Sequence, residues 1–222
     1  MGMKVLMTSE LLEINNTEAS ENRERFFKER VFVMNLIGSP GSGKTTLLEK
    51  TLKHLAGKYS IGVIEGDICT AHDAERIATL GIPAVQLNTA GGCHLEANML
   101  AGALEELPRR RYEVLVVENV GNLVCPAEFD LGEDCKIAVL SVTEGDEKPE
   151  KYPLVFQEAG AVVITKTDLL PYTDFRVEAA ERDIRLLNSE APVFTLSSYT
   201  GEGFESWLAW LEAAVEKKTK RD

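Results

Sequence analysis

The sequence predicts a three-layer α/β fold, with a mostly parallel central sheet of about seven strands flanked by helices. From residue 31 onward, short apolar runs rich in β-branched residues alternate with longer amphipathic stretches. Nearly continuous apolar runs are typical of strands covered on both faces, and the alternation is typical of parallel crossovers. The predicted strands are 31–37, 60–66, 84–88, 113–119, 136–143, 161–166 and 191–196, and the predicted helices are 44–56, 71–80, 95–106, 150–159, 174–189 and 203–217.

Composition narrows the classes of function. The chain has 222 residues, 44% of them hydrophobic, which fits one globular domain with a substantial core. Its net charge of -12 argues against a nucleic-acid partner, and no apolar run is long enough to predict a membrane span or a signal segment. We therefore expect a cytoplasmic protein, with no membrane partner, whose four cysteines are reduced thiols or metal ligands.

The chain is predicted to divide at residue 30. Residues 1–30 are mostly polar with scattered apolar side chains, a pattern that fits an N-terminal helical or partly ordered arm. Residues 31–222 carry the strand and helix pattern without an internal repeat or a Pro/Ser-rich linker, so we expect one domain there.

A phosphate-binding motif follows the first predicted strand. Residues 38–45 read GSPGSGKT, a full match to G-x-x-x-x-G-K-[ST] between a strand and a helix. The glycines allow backbone N–H groups to surround phosphates, Lys44 can reach the β- and γ-phosphates, and the Thr45 hydroxyl can ligate Mg²⁺. The pattern predicts a P-loop NTPase that binds its nucleotide with Gly41, Ser42, Gly43, Lys44, Thr45 and Thr46.

Two later segments indicate guanine as the base. Residues 165–168 read TKTD and resemble the [NT]-K-x-D element of GTP-binding proteins. Asp168 can accept hydrogen bonds from guanine N1 and N2, which adenine cannot supply, while the Lys166 stem packs over the ring. By itself, TKTD could equally be the start of a helix. The segment 195–201, TLSSYTG, resembles the third guanine-side loop, where Ser197 and Ser198 would act through the backbone although Ser and Tyr replace the usual Ala and Lys.

Acidic residues at strand ends are candidates for Mg²⁺ and γ-phosphate contacts. Glu118 stands where many GTPases have the Asp of D-x-x-G, and the N–H of Gly121 can meet the γ-phosphate. Asp67 is the favoured second Mg²⁺ partner, with Asp73 as an alternative, although a helix-capping role competes at each acid. Thr45, Asp67 and Glu118 form the predicted Mg²⁺ set, and Lys44, Asp67 and Glu118 the catalytic set. No glutamine is obviously placed to orient water, so we expect slow hydrolysis.

The combined motifs resemble the HypB family of hydrogenase nickel-incorporation GTPases, which are relatives of the urease accessory GTPases. The resemblance runs through GSPGSGKTTL, EGDICTAHDAERI, LNTAGGCHLEANML, VVENVGNLVCPAEFDLGE, SVTEGDEKPEKYP and ITKTDLLPY. It implies a GTPase that forms a GTP-dependent homodimer and carries Ni²⁺ or Zn²⁺ at the subunit interface. MGMKVLMTSE contains neither the Cys-rich nor the His-rich start of some members, so we expect any metal to use the GTPase domain.

The resemblance carries over to three candidate ligands, Cys93, His94 and Cys125. Taken alone, these residues are better explained as packed thiols and a histidine near a helix start. Three ligands from one chain do not complete a four-coordinate Zn²⁺ or Ni²⁺ site, whereas two copies across a two-fold axis could. Cys69 and Cys135 are expected to be structural, with a bridging role for Cys69 as the alternative.

The leading hypothesis is a GTP-hydrolysing metallochaperone that cycles between GTP and GDP and passes nickel to a hydrogenase large-subunit precursor, directly or through a nickel chaperone. A urease accessory GTPase is one alternative, and the lack of a Cys-Pro-His arrangement argues against it. A P-loop small-molecule kinase with structural Cys and His residues is another, and a nucleotide-gated interaction module is the third. Lys148 or Lys151 could reach a partner's γ-phosphate, or could belong to a solvated loop.

Overall fold

The computed structural model describes residues 8–67 and 76–220, and its centre is a seven-stranded sheet. Every strand pair is parallel, in the order β3-β2-β4-β1-β5-β6-β7, which confirms the predicted fold class. The strands are β1 (Phe32–Gly38), β2 (Ile61–Asp67), β3 (Ala84–Asn88), β4 (Val114–Glu118), β5 (Cys135–Ser141), β6 (Ala159–Thr165) and β7 (Val193–Thr195).

Helices cover both faces of this sheet. They are α1 (Thr8–Glu29), α2 (Lys44–Leu55), α3 (Ala97–Glu106), α4 (Cys125–Glu128), α5 (Lys148–Lys151), α6 (Pro153–Gln157), α7 (Val177–Leu187) and α8 (Phe204–Thr219), with a 3-10 helix at Thr167–Tyr172. Residues 71–75 of the helix predicted over 71–80, together with Cys69 and Asp73, lie outside the described residues, and residues 76–78 are helical. Within the described part of the chain, no helix has the length and apolar character needed to cross a membrane.

The core is split by the sheet because successive side chains of a strand point to opposite faces. Met34 and Leu36 of β1 pack with residues of α2 and α8, including the fully buried Trp207. Val33 belongs to the core formed with α1 and α3, and Ile37 to the core formed with α6 and α7. The strands are therefore buried on both faces, as their continuous apolar character predicts.

Residues 8–29 form one long helix, α1, which is docked on the domain. Phe26 of α1 is buried in the same core as α3, and Asn22 donates hydrogen bonds to the carbonyls of Ala97 and Leu131 at 2.9 and 3.1 Å. The side-chain oxygen of Asn15 accepts a hydrogen bond from Ala97 N at 2.8 Å. These buried amides fix the position of α1, while the division of the chain at residue 30 stays a prediction.

The helix predicted over 150–159 is replaced by two short helices, and β6 begins earlier than predicted, at Ala159. Pro153 explains the interruption because proline has no N–H to continue the helical hydrogen bonds. Asn188 then donates hydrogen bonds to the carbonyls of Phe156, Gln157 and Ala159 at 3.2, 3.0 and 2.9 Å. One side chain therefore satisfies the carbonyls at this irregular start of β6.

Candidate nucleotide and metal sites

The phosphate loop lies between β1 and α2, at the carboxyl edge of the sheet. Gly41 and Gly43 have φ values of 76° and 92°, the left-handed region that glycine adopts without a steric penalty. Lys44 is buried, and its Nζ donates hydrogen bonds to the carbonyls of Gly38 and Ser39 at 3.1 and 3.2 Å. The lysine is therefore held directly against the loop that it is predicted to serve.

A cleft of about 510 Å³ opens beside this loop. On its metal-binding side, Thr45 Oγ1 donates a hydrogen bond to Glu118 Oε1 at 2.7 Å. Glu65 and Glu118 are both buried and lie opposite each other in the β2–β4 register, and Asp67 also lines the cleft. A hydroxyl and several carboxylates are oxygen ligands of the kind that Mg²⁺ prefers, so the donor set fits this ion.

Gly121 lies directly against the phosphate loop. A Cβ atom at this position would stand 2.9 Å from Pro40 Cγ and 3.0 Å from Pro40 N. The absence of a side chain therefore allows the segment after β4 to approach the loop closely, and Gly121 lines the same cleft.

The predicted base-recognition residues lie together at the ends of β6 and β7. Asp168 Oδ1 accepts a hydrogen bond from Ser197 Oγ at 2.5 Å, and Ser197 Oγ accepts hydrogen bonds from the backbone N–H groups of Tyr199 and Thr200. Lys166 has a left-handed backbone and donates a hydrogen bond to the carbonyl of Gly41 at 2.6 Å. Asp168 is thus oriented by the loop after β7, and Lys166 connects this region to the phosphate loop.

Two serine hydroxyls lie beside the predicted nucleotide contacts, Ser42 in the phosphate loop and Ser198 in the loop after β7. Within the described residues, Ser42 Oγ and Ser198 Oγ are buried and have no hydrogen-bond partner. A buried hydroxyl without a partner is costly, and a bound polar ligand is one way to satisfy it.

Arg76 and Gln86 are among the cleft residues that are absent from the sequence-based candidates. Arg76 forms an ion pair with Glu49 of α2 at 2.7 Å and lines the cleft beside Asp67. Gln86 of β3 lies opposite Glu65 in the parallel register and lines the same cleft. The sequence shows no glutamine obviously placed to orient water, and strand pairing brings Gln86 to the cleft from a distant part of the chain.

The three predicted metal ligands also lie together. Their ligand atoms, from Cys93, His94 and Cys125, are all within 4.8 Å of one another. The two Sγ atoms are 2.8 Å apart, and Cys93 Sγ is 3.5 Å from His94 Nδ1. Two thiols and one imidazole form a donor set that suits Zn²⁺ or Ni²⁺, but they supply fewer than the four ligands such ions take in structural or square-planar sites.

Burial favours the neutral forms of the ligands in this cluster, which suits the imidazole but opposes the thiolate form in which cysteine ligates metals. Desolvation lowers the pKa of His94, whose ring stacks on Phe129 at a centroid distance of 3.8 Å. His94 Nε2 is buried without a hydrogen-bond partner within the described residues, and Glu96 Oε1 lies 3.9 Å away. The hydrogen bond from Cys93, followed by burial, raises the pKa of the Cys125 thiol. A neutral imidazole is the form that ligates metals.

Hydrogen bonds join the two candidate sites. Asn119, next to Glu118, accepts a hydrogen bond from the backbone N–H of Leu95 at 3.2 Å. Asn122 donates a hydrogen bond to the carbonyl of Cys93 at 3.3 Å and accepts one from Val124 N at 2.9 Å. The segment from Glu118 to Cys125 therefore contacts Thr45 in the nucleotide cleft at one end and the cysteine–histidine cluster at the other.

The two lysines considered for contact with a partner subunit lie in or beside helical turns. Lys151 forms an ion pair with Glu147 at 2.8 Å, and Lys148 Nζ lies over the ring of Tyr152 at 5.1 Å from its centroid. Both contacts are within the chain, and a role across a dimer stays a prediction.

The phosphate loop, the parallel sheet and the cleft at its carboxyl edge define a P-loop nucleotide-binding protein. The family description "CobW/HypB/UreG, nucleotide-binding domain" matches residues 32–195. A relative from Azotobacter chroococcum mcd 1, named hydrogenase maturation factor HypB, is 51% identical over 94% of this chain and 68% of its own. The chain belongs to the HypB family of hydrogenase maturation factors within this larger family, which confirms the resemblance.

Two further comparisons support this assignment. A Helicobacter pylori (strain 26695) relative named hydrogenase/urease maturation factor HypB is 41% identical over 96% of this chain and 88% of its own. The crystal structure of H. pylori HypB in complex with nickel has a TM-score of 0.86 and 40% identity, covering 91% of this chain and 95% of that chain.

Proposed function

We propose that this protein is a GTP-hydrolysing metallochaperone that supports nickel insertion during [NiFe]-hydrogenase maturation. Its family membership supports the maturation role, and the nickel complex of the H. pylori relative supports the choice of metal. Cys93, His94 and Cys125 provide a donor set for Ni²⁺ or Zn²⁺ as the cargo.

GTP would occupy the cleft at the carboxyl edge of the sheet. Lys44 would exchange the loop carbonyls for the β- and γ-phosphates, while Gly121 N–H would approach the γ-phosphate. Thr45 would hold Mg²⁺, with Glu118 and Asp67 acting directly or through water. Bound Mg²⁺ supplies charge neutralisation on the phosphate oxygens. Gln86 adds a candidate for orienting water, and we still propose slow intrinsic hydrolysis.

The hydrogen bond between Thr45 and Glu118 carries the proposed coupling between nucleotide and metal. Thr45 Oγ1 has one proton and two lone pairs, so it can direct a lone pair to Mg²⁺ while it donates to Glu118, and we propose that the bound ion rearranges this contact. Because Asn119 and Asn122 connect the following segment to Leu95 and Cys93, such a rearrangement reaches the metal ligands. Exchange of GTP for GDP can therefore bias metal binding through one short segment.

The incomplete ligand set supports a homodimer. One chain offers three ligands in the described cluster, so a second copy related by two-fold symmetry could complete a shared site. We propose that GTP favours this dimer and that the metal lies at its interface. A nickel chaperone and a hydrogenase large-subunit precursor are the proposed partners in delivery.

Parallel measurements on GDP-bound and GTP-analogue-bound protein test this function. We expect the analogue to increase the dimer fraction in light scattering and to change the Ni²⁺ stoichiometry in equilibrium dialysis. Cys93→Ala combined with Cys125→Ala should remove the bound metal, whereas Cys135→Ala, which removes a thiol away from the cluster, should not. Equal metal binding and equal mass in both nucleotide states would contradict the coupling. Transfer of labelled phosphate to a metabolite instead of its release would indicate the kinase alternative.

Urease maturation is a second candidate, favoured by the name of the H. pylori relative, which includes both hydrogenase and urease. Complementation of two deletion strains, one lacking hydrogenase maturation and the other lacking urease maturation, separates the two roles. Restoration of urease activity alone would favour the second candidate.

A further inference from the structure

A second and larger cleft lies at the opposite edge of the sheet from the nucleotide. It has a volume of about 720 Å³ and is lined by the end of α1 and by the loop between α3 and β4. This loop leads directly into the amino end of β4, whereas the nucleotide cleft lies at the carboxyl ends of the strands. A ligand in the second cleft would leave the phosphate loop and the cysteine–histidine cluster accessible.

Positive charge is concentrated in this cleft, although the whole chain carries a net charge of -12. Arg25 is already paired with Glu29 and Glu105, and Lys28 is paired with Glu24. The cationic side chains that line the cleft are Arg25, Lys28, Arg30, Arg109, Arg110 and Arg111.

Three of these arginines are available to a ligand. Arg110 is used within the chain, since it donates a hydrogen bond to the carbonyl of Ile61 at 2.8 Å and lies over the ring of Tyr112. Arg30, Arg109 and Arg111 are exposed, and none of them forms an ion pair with the residues that the structure describes. The cationic side chains at the rim of the cleft therefore outnumber the carboxylates that line it.

Arg30 occupies a backbone position that usually favours glycine. Its φ is 56°, and the hydrogen bonds from Arg30 N to Phe27 O and from Val31 N to Phe26 O end α1 in a Schellman arrangement. Glycine is the usual residue here because a side chain in this conformation is strained. An arginine in this strained position, without an ion pair among the described residues, points to a role for its side chain.

The floor of the cleft is apolar. Phe26, Val31, Leu107 and Leu115 contribute buried side chains, and the partly buried Leu104 packs against the same core. A cationic rim above an apolar floor fits a chain segment that carries both carboxylates and large apolar side chains. Nucleic acid fits less well, because the net charge of the protein repels a polyanion and the floor offers no charge to its phosphates.

We propose that this basic cleft is a docking site for an acidic segment of a partner protein that also carries leucine or aromatic side chains. The arginines at the rim attract the carboxylates, and the floor receives the apolar side chains. Because the cleft is at the amino edge of the sheet, docking there can hold a partner while nucleotide and metal are exchanged at the other edge.

The test uses a short fluorescein-labelled peptide that alternates glutamate and leucine, measured by fluorescence anisotropy on the full chain. We expect saturable binding that weakens as salt is raised, because exposed charges are screened. The combined substitution Arg30→Gly, Arg109→Ser and Arg111→Ser should weaken binding by about tenfold, as expected when several exposed charge contacts are lost. A matched peptide with lysine in place of glutamate should not bind.

Arg30→Gly alone separates binding from folding. Glycine suits the left-handed backbone at this position, so the variant should melt at the same or a higher temperature while binding the peptide more weakly. The control variant Lys53→Ser, Arg185→Ser and Lys217→Ser removes three exposed cations elsewhere and should bind as the unmodified protein does.

Two results would overturn the proposal. One is the failure of the glutamate–leucine peptide to bind, or equal binding by the arginine variant and its control. The other is preferential binding of a short single-stranded oligonucleotide or of a polyglutamate peptide without leucine, since neither uses the apolar floor. Retained GTP binding by the arginine variant shows that either result concerns this cleft and not the nucleotide site.

Discussion

The nucleotide cleft and the cysteine–histidine cluster are built in different ways, although one short segment joins them. Strand ends and the phosphate loop supply the cleft, where Lys44, Glu65 and Glu118 are buried. The cluster is supplied by loops and the start of a four-residue helix, and Cys93 is exposed. The sheet fixes the nucleotide site within one chain, whereas the proposed metal site would depend on loop positions and on further ligands. We therefore expect the metal site to respond to the nucleotide site.

The largest expected effect is the loss of GTP affinity when Asp168 in the nucleotide site is substituted. Asp168→Asn should weaken GTP binding by on the order of 10²-fold, because an amide replaces the carboxylate that would accept two guanine hydrogen bonds and so presents a donor to a donor. Binding of xanthosine triphosphate should be retained, since its base offers an oxygen where guanine has an amino group. Fluorescence titration with both nucleotides measures the change. Equal losses for both would indicate that Asp168 supports the loop through Ser197 and does not read the base.

Loss of the two thiols is the corresponding change at the metal cluster. Cys93→Ser together with Cys125→Ser should weaken Ni²⁺ binding by about 10²-fold or more, since even the outer partners of metal ligands are worth about 10- to 100-fold. GTP affinity should change little, because neither thiol lines the nucleotide cleft. Competition with a chromophoric chelator measures the metal affinity. Unchanged affinity would remove the metal assignment and leave the nucleotide assignment standing.

Gly121→Ala tests the segment that joins the two regions. The added Cβ would stand within 3.1 Å of three atoms of Pro40, two of them in the backbone, so the segment or the phosphate loop must move. Overpacking of this kind costs about 1–3 kcal/mol, and we expect a lower melting temperature together with slower phosphate release.

Gly102→Ala is the matched control for this substitution. Gly102 lies in α3, and a Cβ there meets nothing within 4 Å. Alanine in a helix interior should stabilise by about 0.5–1 kcal/mol relative to glycine. If both variants behave alike, close packing of Gly121 against the phosphate loop has no functional consequence.

Local patterns were sufficient to predict most of the fold and the chemistry of the individual sites. Continuous apolar runs predicted all seven strands because burial on both faces leaves a strong signal, and GSPGSGKT predicted the position of the loop between β1 and α2. Cys93 and Cys125 meet as expected, but only the family resemblance indicated that they should.

Contacts between distant elements were not predictable in the same way. Gln86 reaches the cleft only through its register with Glu65, and no local pattern around Gln86 indicates that pairing. The left-handed backbone of Arg30 also had no local signal, because the residue type argues for a different conformation. Strand pairing determines the position of Gln86, and the hydrogen bonds that end α1 determine the backbone of Arg30.

The smallest expected effect concerns Cys135, a thiol outside the cluster, whose reactivity should differ clearly from that of Cys93. Burial, followed by the charges of Glu133 and Asp134, raises the pKa of Cys135 to about 12. Because the thiolate is the reactive form, Cys135 should react with an aromatic disulfide reagent much more slowly than the exposed Cys93 at pH 8, and its rate should rise with pH.

The raised pKa of Cys135 also makes the stability of the protein depend on pH in a defined direction. The folded protein keeps the proton of Cys135 to higher pH than the unfolded chain does. The contribution of this difference to the free energy of unfolding is therefore complete below the unfolded pKa and is lost as pH rises toward 12. Mass spectrometry after timed labelling measures the rate at each cysteine, and denaturant titrations at increasing pH measure the stability. Bound Ni²⁺ should slow labelling of Cys93 and leave Cys135 unchanged, because Cys93 lies in the cluster and Cys135 does not. Equal protection of both thiols would show that metal tightens the whole domain, and the contrast between a fixed nucleotide site and a loop-built metal site would then fail.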